Sequence, residues 1–132
     1  MDRIGINLIS VLNTTDGTHT EALLNMFLAI FSNHQTANYF YKNDLKVVID
    51  VILLECTDLP VDNIHRASYL HILYQLLMNT TDYVYILHKQ GEILELTTTL
   101  SSDLSVRKDA RDAARKICEK CSGLLKMDPS DL

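Results

Sequence analysis

Two of the three cysteines, Cys118 and Cys121, form a C-x-x-C motif, which is the clearest candidate for metal or redox chemistry in the sequence. Such a pair holds a metal or exchanges disulfides when it lies in a loop or beside a β-α-β unit. Here the motif falls within a predicted helix, and no second pair of cysteines or histidines follows nearby. Free cysteine usually packs as a small apolar residue, so we predict a structural role and no cofactor. A small redox or metal enzyme is the weaker alternative.

The histidines and carboxylates give no further catalytic pattern. The five histidines are His19, His34, His65, His71 and His88. None has the H-E-x-x-H spacing that places two ligands and a base on one helix face. Asp44 with Asp50, or Glu92 with Glu95, could be paired for acid–base work, but carboxylates near a helix N-terminus more simply offset the helix dipole. Without a phosphate-binding loop or nucleophile elbow, we predict that the chain is not an enzyme.

Composition favours one all-helical domain. The chain has 132 residues, of which 47% are hydrophobic and 22% charged, values typical of globular domains. Four glycines and two prolines are too few for the turns that a β-sandwich of this length needs. We therefore treat residues 1–132 as a single domain or a fragment of a larger one.

The same features indicate where the protein acts. An odd number of cysteines without a paired framework favours a reducing compartment, so a cytoplasmic location is expected. The start of the chain lacks the apolar core of a signal peptide. Asp50 interrupts the longest apolar run, residues 47–54, so membrane insertion is not expected.

Charge is distributed unevenly along the chain. The formal net charge is −5, so general attraction to nucleic acid is not predicted. Residues 104–126 nevertheless carry seven basic side chains against three acidic ones. Five of these recur at helical spacing and form one stripe: Arg107, Lys108, Arg111, Arg115 and Lys116. Such a stripe is either a solvated outer face or a contact for an acidic partner.

Apolar spacing predicts helices along the whole chain. Their approximate ranges are 4–12, 19–33, 38–41, 45–54, 64–77, 83–87, 92–100 and 106–124. We expect caps at Asn43 or Asp44, at Asp62 or Asn63, and at residues 101–103. The β-branched residues of 45–54 also permit a buried strand, but no second β-rich run could pair with it.

The order of these helices suggests a repeat. A short aromatic helix, a buried helix and a long amphipathic helix follow one another twice, with spacings of roughly 40 to 47 residues, the period of armadillo and HEAT repeats. We therefore predict an armadillo/HEAT-like right-handed helical superhelix of about two repeats plus flanking helices. Stacked repeats leave a groove lined by the long helices, where a partner binds.

Three stretches of sequence carry a family resemblance. Residues 38–55 contain F-Y-x-N-D-L-x-V-x-I-D-x-I-L, residues 57–60 follow as T-D-L-P, and residues 66–77 form R-x-x-Y-L-x-I-L-Y-x-L-L. This pattern resembles the leucine-rich, armadillo-like domain of the Nck-interacting SH3-protein (WISH/DIP/SPIN) family. The resemblance implies binding and activation of the actin-related protein two/three complex, so that linear actin filaments are nucleated.

The expected contact surface is the polar face of the long helices. Its candidate residues are His65, Arg66, Ser68, His71, Gln75, Arg107, Arg111 and Arg115. The alternative hypothesis is a generic armadillo-type scaffold that captures a peptide or forms a homodimer through exposed apolar ends.

Overall fold

The described part of the chain is helical. The computed structural model describes residues 24–25, 28–29, 42–79, 89–126 and 128. Within them lie five helices: α1 (Lys42–Asp58), α2 (Arg66–Asn79), α3 (Gln90–Ser102), α4 (Lys108–Lys120) and α5 (Ser122–Leu125). Residues 24–25 and 28–29 are also helical, and no strand occurs among the described residues. The prediction of an all-α fold is confirmed for this part.

Helix α1 settles the choice between helix and strand for residues 45–54, because all of them are helical. The helix ends at Asp58, just before Pro60, as the sequence predicts. Its start differs from the prediction. The helix begins at Lys42, so Asn43 and Asp44 belong to its first turn and neither is the cap.

Arg66 joins the end of α1 to the start of α2. Its side chain is buried, with 3% exposed. The guanidinium donates from Nε to the Cys56 carbonyl at 3.1 Å, from Nη1 to the Pro60 carbonyl at 2.8 Å, and from Nη2 to the Leu59 carbonyl. The last carbonyls of a helix have no partner within it, and Arg66 supplies donors at this end of α1. The Pro60 carbonyl also accepts from the Asn63 backbone N–H at 3.0 Å. The prediction that Arg66 lies on an exposed polar face is wrong.

The turn before α2 is set by Asn63. Its Oδ1 accepts a hydrogen bond from the His65 backbone N–H at 2.8 Å, which fixes the turn as a capping residue does. Ile64 was predicted inside the helix, but it precedes α2 and is 58% exposed. Helix α2 itself is buried over more than one side, since Ala67 and Leu70 are buried as well as Ile72.

The helices form two hairpins that stack in parallel. Helix α1 contacts α2 and α3, while α4 contacts α2 and α3. Tyr74 of α2 meets Lys116 of α4, and one turn further on Met78 meets Cys121 at 3.9 Å between sulfur atoms, 43 positions apart in sequence. Because both contacts advance in the same direction, α2 and α4 run parallel. The result is one layer of α1 and α3 and another of α2 and α4.

Small side chains let α4 approach both of its neighbours. Ala110, Ala113, Ala114 and Ile117 are all buried, as the sequence predicts. Helix α4 is shorter than the predicted range 106–124, because it ends at Lys120 and α5 follows a break at Cys121. The break turns Leu125 into the core, and Leu124 is only partly buried.

The turn between α3 and α4 also differs from the prediction. Ser101 and Ser102 end α3 and do not cap α4. Asp103 organises the turn instead, since its Oδ1 accepts from the Ser105 backbone N–H at 3.0 Å and from Ser105 Oγ at 2.6 Å. These bonds hold the pKa of Asp103 below its ordinary value.

A continuous core connects all five helices and includes Leu24 from the preceding segment. No described helix has the length and apolar character needed to cross a membrane. The predicted elements at 4–12, at 38–41, at 83–87 and in most of 19–33 lie outside the described residues.

Candidate partner-binding surface

The exposed face of α2 and α4 brings together aromatic and basic side chains. Lys116 of α4 places its Nζ 4.4 Å from the centroid of the Tyr74 ring on α2. This cation–π contact holds the lysine across the junction of the two helices. We call the surface formed by His71, Tyr74, Gln75, Lys116 and Lys120 the α2–α4 face.

His71 lies on the α2–α4 face, and desolvation and charged residues of α4 shift its pKa. Its pKa is lowered from 6.5, first by partial desolvation and then by the positive charge of Lys116, while Asp109 opposes the shift. The imidazole is therefore uncharged near neutral pH. In that form it both donates and accepts a hydrogen bond, which suits polar recognition.

Gln75 and its neighbours complete the α2 side. Gln75 is half-buried, and its Oε1 accepts a hydrogen bond from Asn79 Nδ2 at 3.0 Å. Ser68 is half-buried on the same helix, and His65 is half-buried in the preceding turn. The structure thus places His71 near the charges of α4 and Gln75 one turn further along α2, whereas His65 and Ser68 lie nearer the start of α2.

Much of the basic stripe on α4 is neutralised within the helix. Lys108 Nζ lies 2.9 Å from Asp112 Oδ2, and Arg115 Nη1 lies 3.5 Å from Asp112 Oδ1. Arg107 Nε lies 3.3 Å from Asp109 Oδ1. The hydrogen bond from Lys108 and the nearby positive charges lower the pKa of Asp112. Within the described residues, Lys116 and Lys120 form no ion pair.

The remaining predicted arginines face the α3–α4 turn. Arg115 Nη2 donates to the Ser101 carbonyl at 3.4 Å, and the charge of Arg111 helps to lower the pKa of Asp103. Arg111 Nε is shielded from solvent and has no hydrogen-bond partner among the described residues. The sequence thus predicts the correct helix for Arg111 and Arg115 but does not predict their interactions with the α3–α4 turn.

Three residues of the α2–α4 face are absent from the set predicted from sequence: Tyr74, Lys116 and Lys120. Tyr74 lies on the apolar side of the predicted helix 64–77, and Lys116 belongs to the predicted basic stripe. The sequence does contain a signal for this contact. Tyr74 and Lys116 are separated by about the predicted repeat length, and residues one repeat apart stack against each other.

The cysteines are free thiols. Burial raises the pKa of Cys56 to about 12 and that of Cys121 to about 11, and the neighbouring Cys118 adds to the second shift. Both thiols stay protonated at neutral pH and lack the thiolate character of a nucleophile or metal ligand. No group of three or more potential metal ligands occurs among the described residues.

Comparison with known proteins identifies the family. Residues 1–93 match the family described as the SPIN90/Ldb17 leucine-rich domain. A curated relative, Protein LDB17 of Eremothecium gossypii, is 34% identical over 79 residues, which is 58% of this chain and 17% of the relative. The chain therefore matches less than a fifth of that protein's length. Because the family match covers more than half of the 132 residues, including the motif stretches noted above, the chain belongs to the SPIN90/Ldb17 leucine-rich-domain family.

Proposed function

We propose that this chain binds the actin-related protein two/three complex in the cytoplasm and activates it to nucleate linear actin filaments. The family match over residues 1–93 carries the proposal, because this is the activity that the resemblance of residues 38–77 implies. The chain would act by binding alone and would not catalyse a covalent reaction.

The fold that we propose for this role is an armadillo-like superhelix. Parallel stacking of the two hairpins supports it, as does the separation of 43 positions between the stacked residues Met78 and Cys121, which falls within the armadillo period. In such a stack the second helices of successive hairpins share one continuous surface, here the α2–α4 face.

The α2–α4 face is the proposed contact surface. Lys116 and Lys120 form no ion pair with a described residue, so their charge is available to an acidic partner, and His71 and Gln75 add polar groups beside them. Complementary charge of this kind accelerates association and makes it sensitive to salt.

A binding measurement tests both the partner and the surface. Labelled chain is titrated with purified complex at two salt concentrations, and the double variant Lys116→Glu/Lys120→Glu is compared with Lys46→Glu. Lys46 is an exposed lysine on α1, so it controls for added negative charge. We expect the double variant to weaken binding by about tenfold or more, while Lys46→Glu has little effect. Equal losses of affinity in both variants would show that the α2–α4 face is not the contact surface. Absence of binding by the unmodified chain would show that the complex is not the partner.

A further inference from the structure

A groove lies on the opposite layer of the molecule, between α1 and α3. It is open to solvent and has a volume of about 320 Å³. The residues that line it are Leu53, Thr57, Glu92, Glu95, Leu96 and Thr99. None of them belongs to the α2–α4 face, so the groove is a separate feature.

The floor of the groove is apolar and its rim is acidic. Leu53 is buried and Leu96 is half-buried, whereas the carboxylates of Glu92 and Glu95 are exposed. Thr57 Oγ1 already donates to the Leu53 carbonyl at 2.7 Å, so this hydroxyl needs no hydrogen-bond partner from a ligand. An apolar side chain would fill the floor without leaving this group unsatisfied.

The negative charge at the rim is only partly balanced. Lys89 Nζ lies 3.6 Å from Asp50 Oδ1 and 3.5 Å from Glu92 Oε1. One ammonium group is thus shared by two carboxylates, and Glu95 forms no ion pair with a described residue. The end of the groove near Lys89 therefore keeps a net negative charge.

The two layers differ in the sign of their exposed charge. Beside α1 and α3, the exposed acidic residues Asp50, Asp58, Glu92 and Glu95 outnumber the basic residues Lys46 and Lys89, while α4 carries five basic residues against three acidic ones. A basic ligand would be drawn to the groove and repelled by the opposite layer.

We propose that the α1–α3 groove binds a short basic segment of a partner protein, with an aliphatic side chain in the groove and Lys or Arg side chains at the acidic rim. The volume lies near the lower end of the range for ligand sites, roughly 300 to 1,000 Å³, and holds one or two aliphatic side chains. An amphipathic helix supplies apolar anchors at positions three and four apart with basic residues beside them. This binding is independent of the function proposed above.

Fluorescence anisotropy with two labelled peptides tests the groove. One peptide is an amphipathic helix of leucine and lysine, and the other has glutamate in place of each lysine. The full chain should bind the lysine peptide, with an affinity that falls as salt is raised, and should not bind the glutamate peptide. Equal binding of both peptides, or no binding of the lysine peptide, would overturn the proposal.

Matched variants locate the binding site. Glu92→Gln/Glu95→Gln keeps the size of both exposed side chains, and Glu119→Gln, on α4, removes a charge from the other layer. We expect the double variant to raise the Kd of the lysine peptide by about fivefold and Glu119→Gln to leave it unchanged. Equal effects of the two would show nonspecific attraction and overturn the assignment.

Two further measurements distinguish this proposal from binding at the α2–α4 face and from homodimer formation. Lys116→Glu/Lys120→Glu should not weaken binding of the lysine peptide, whatever the outcome with the actin-related protein two/three complex. Size-exclusion chromatography distinguishes a second copy of the chain as the occupant. A dimer that dissociates in the Glu92→Gln/Glu95→Gln variant would show that a second copy of the chain occupies the groove. This result would overturn the proposal of a basic partner segment.

Discussion

The three cysteines differ in burial, and burial controls how readily each thiol reacts. Cys56 and Cys121 are buried, with 2% and 3% exposed, whereas Cys118 is half-buried. Iodoacetamide at pH 8 should therefore alkylate Cys118 first, with Cys56 and Cys121 slower by about tenfold or more. Peptide mass spectrometry over a time course measures the order. Similar rates for all three are expected only in urea, and similar rates in the folded chain would contradict the described burial.

His71 reports on the electrostatics of the α2–α4 face. Lys116 is one of the causes that lower its pKa, after desolvation. Lys116→Met should raise the pKa of His71, and Asp109→Asn should lower it further, because Asp109 stabilises the imidazolium. NMR titration of the imidazole protons gives both values. A pKa of His71 that is the same in all three proteins would show that α4 does not act on this side chain.

The same shift predicts how stability varies with pH. The pKa of His71 lies below 6.5 in the folded chain, so the unfolded chain binds more protons between the two pKa values. Stability from this group is complete above pH 6.5 and falls as the pH decreases towards the folded pKa. His71→Gln should remove this part of the pH dependence in urea unfolding, and an unaltered profile would exclude the effect.

At the scale of elements, Arg66 links the end of α1 to the start of α2. Arg66→Ala removes the donor from the Cys56 and Leu59 carbonyls, whereas the Pro60 carbonyl keeps its bond from the Asn63 backbone N–H. The substitution should lower the free energy of unfolding by about 2 to 4 kcal/mol. Arg66→Lys keeps the charge but cannot reproduce the planar set of donors, so it should lose a large part of the same stability. Urea unfolding measures both. Arg115→Ala, at an exposed arginine, is the control and should change stability by less than about 0.5 kcal/mol.

The packing of α4 depends on its small residues. Ala114 has no exposed surface, so Ala114→Leu should push α4 away from its neighbours and cost about 1 to 3 kcal/mol. Glu119→Leu adds a leucine on the exposed side of the same helix and should have little effect on stability. Thermal unfolding compares the two, and equal melting temperatures would mean that α4 is not closely packed.

Which elements could be predicted from sequence depends on how local their determinants are. The end of α1 before Pro60 and the apolar side of α4 follow from neighbouring residues, and both are confirmed. Arg66 could not be assigned correctly, because its partners are backbone carbonyls that approach it only when the hairpin closes. The site was predicted in outline as polar faces of the long helices, but the contact of Lys116 with Tyr74 depends on how two helices stack.

At the scale of the whole molecule, the two layers offer different surfaces. The α2–α4 face carries basic and aromatic groups, while the α1–α3 layer carries a groove with an acidic rim. The two proposed binding surfaces thus lie on different layers, so we expect a ligand bound to one surface to leave the other accessible.

The most direct test of the central claim is actin polymerisation followed with pyrene-labelled actin. The chain is added to monomeric actin and the actin-related protein two/three complex, without preformed filaments, and the same reaction without the complex is the control. Faster nucleation that requires both the chain and the complex, with unbranched filaments seen by fluorescence microscopy, is the predicted result. Unchanged nucleation together with no measurable binding to the complex would contradict the proposed function.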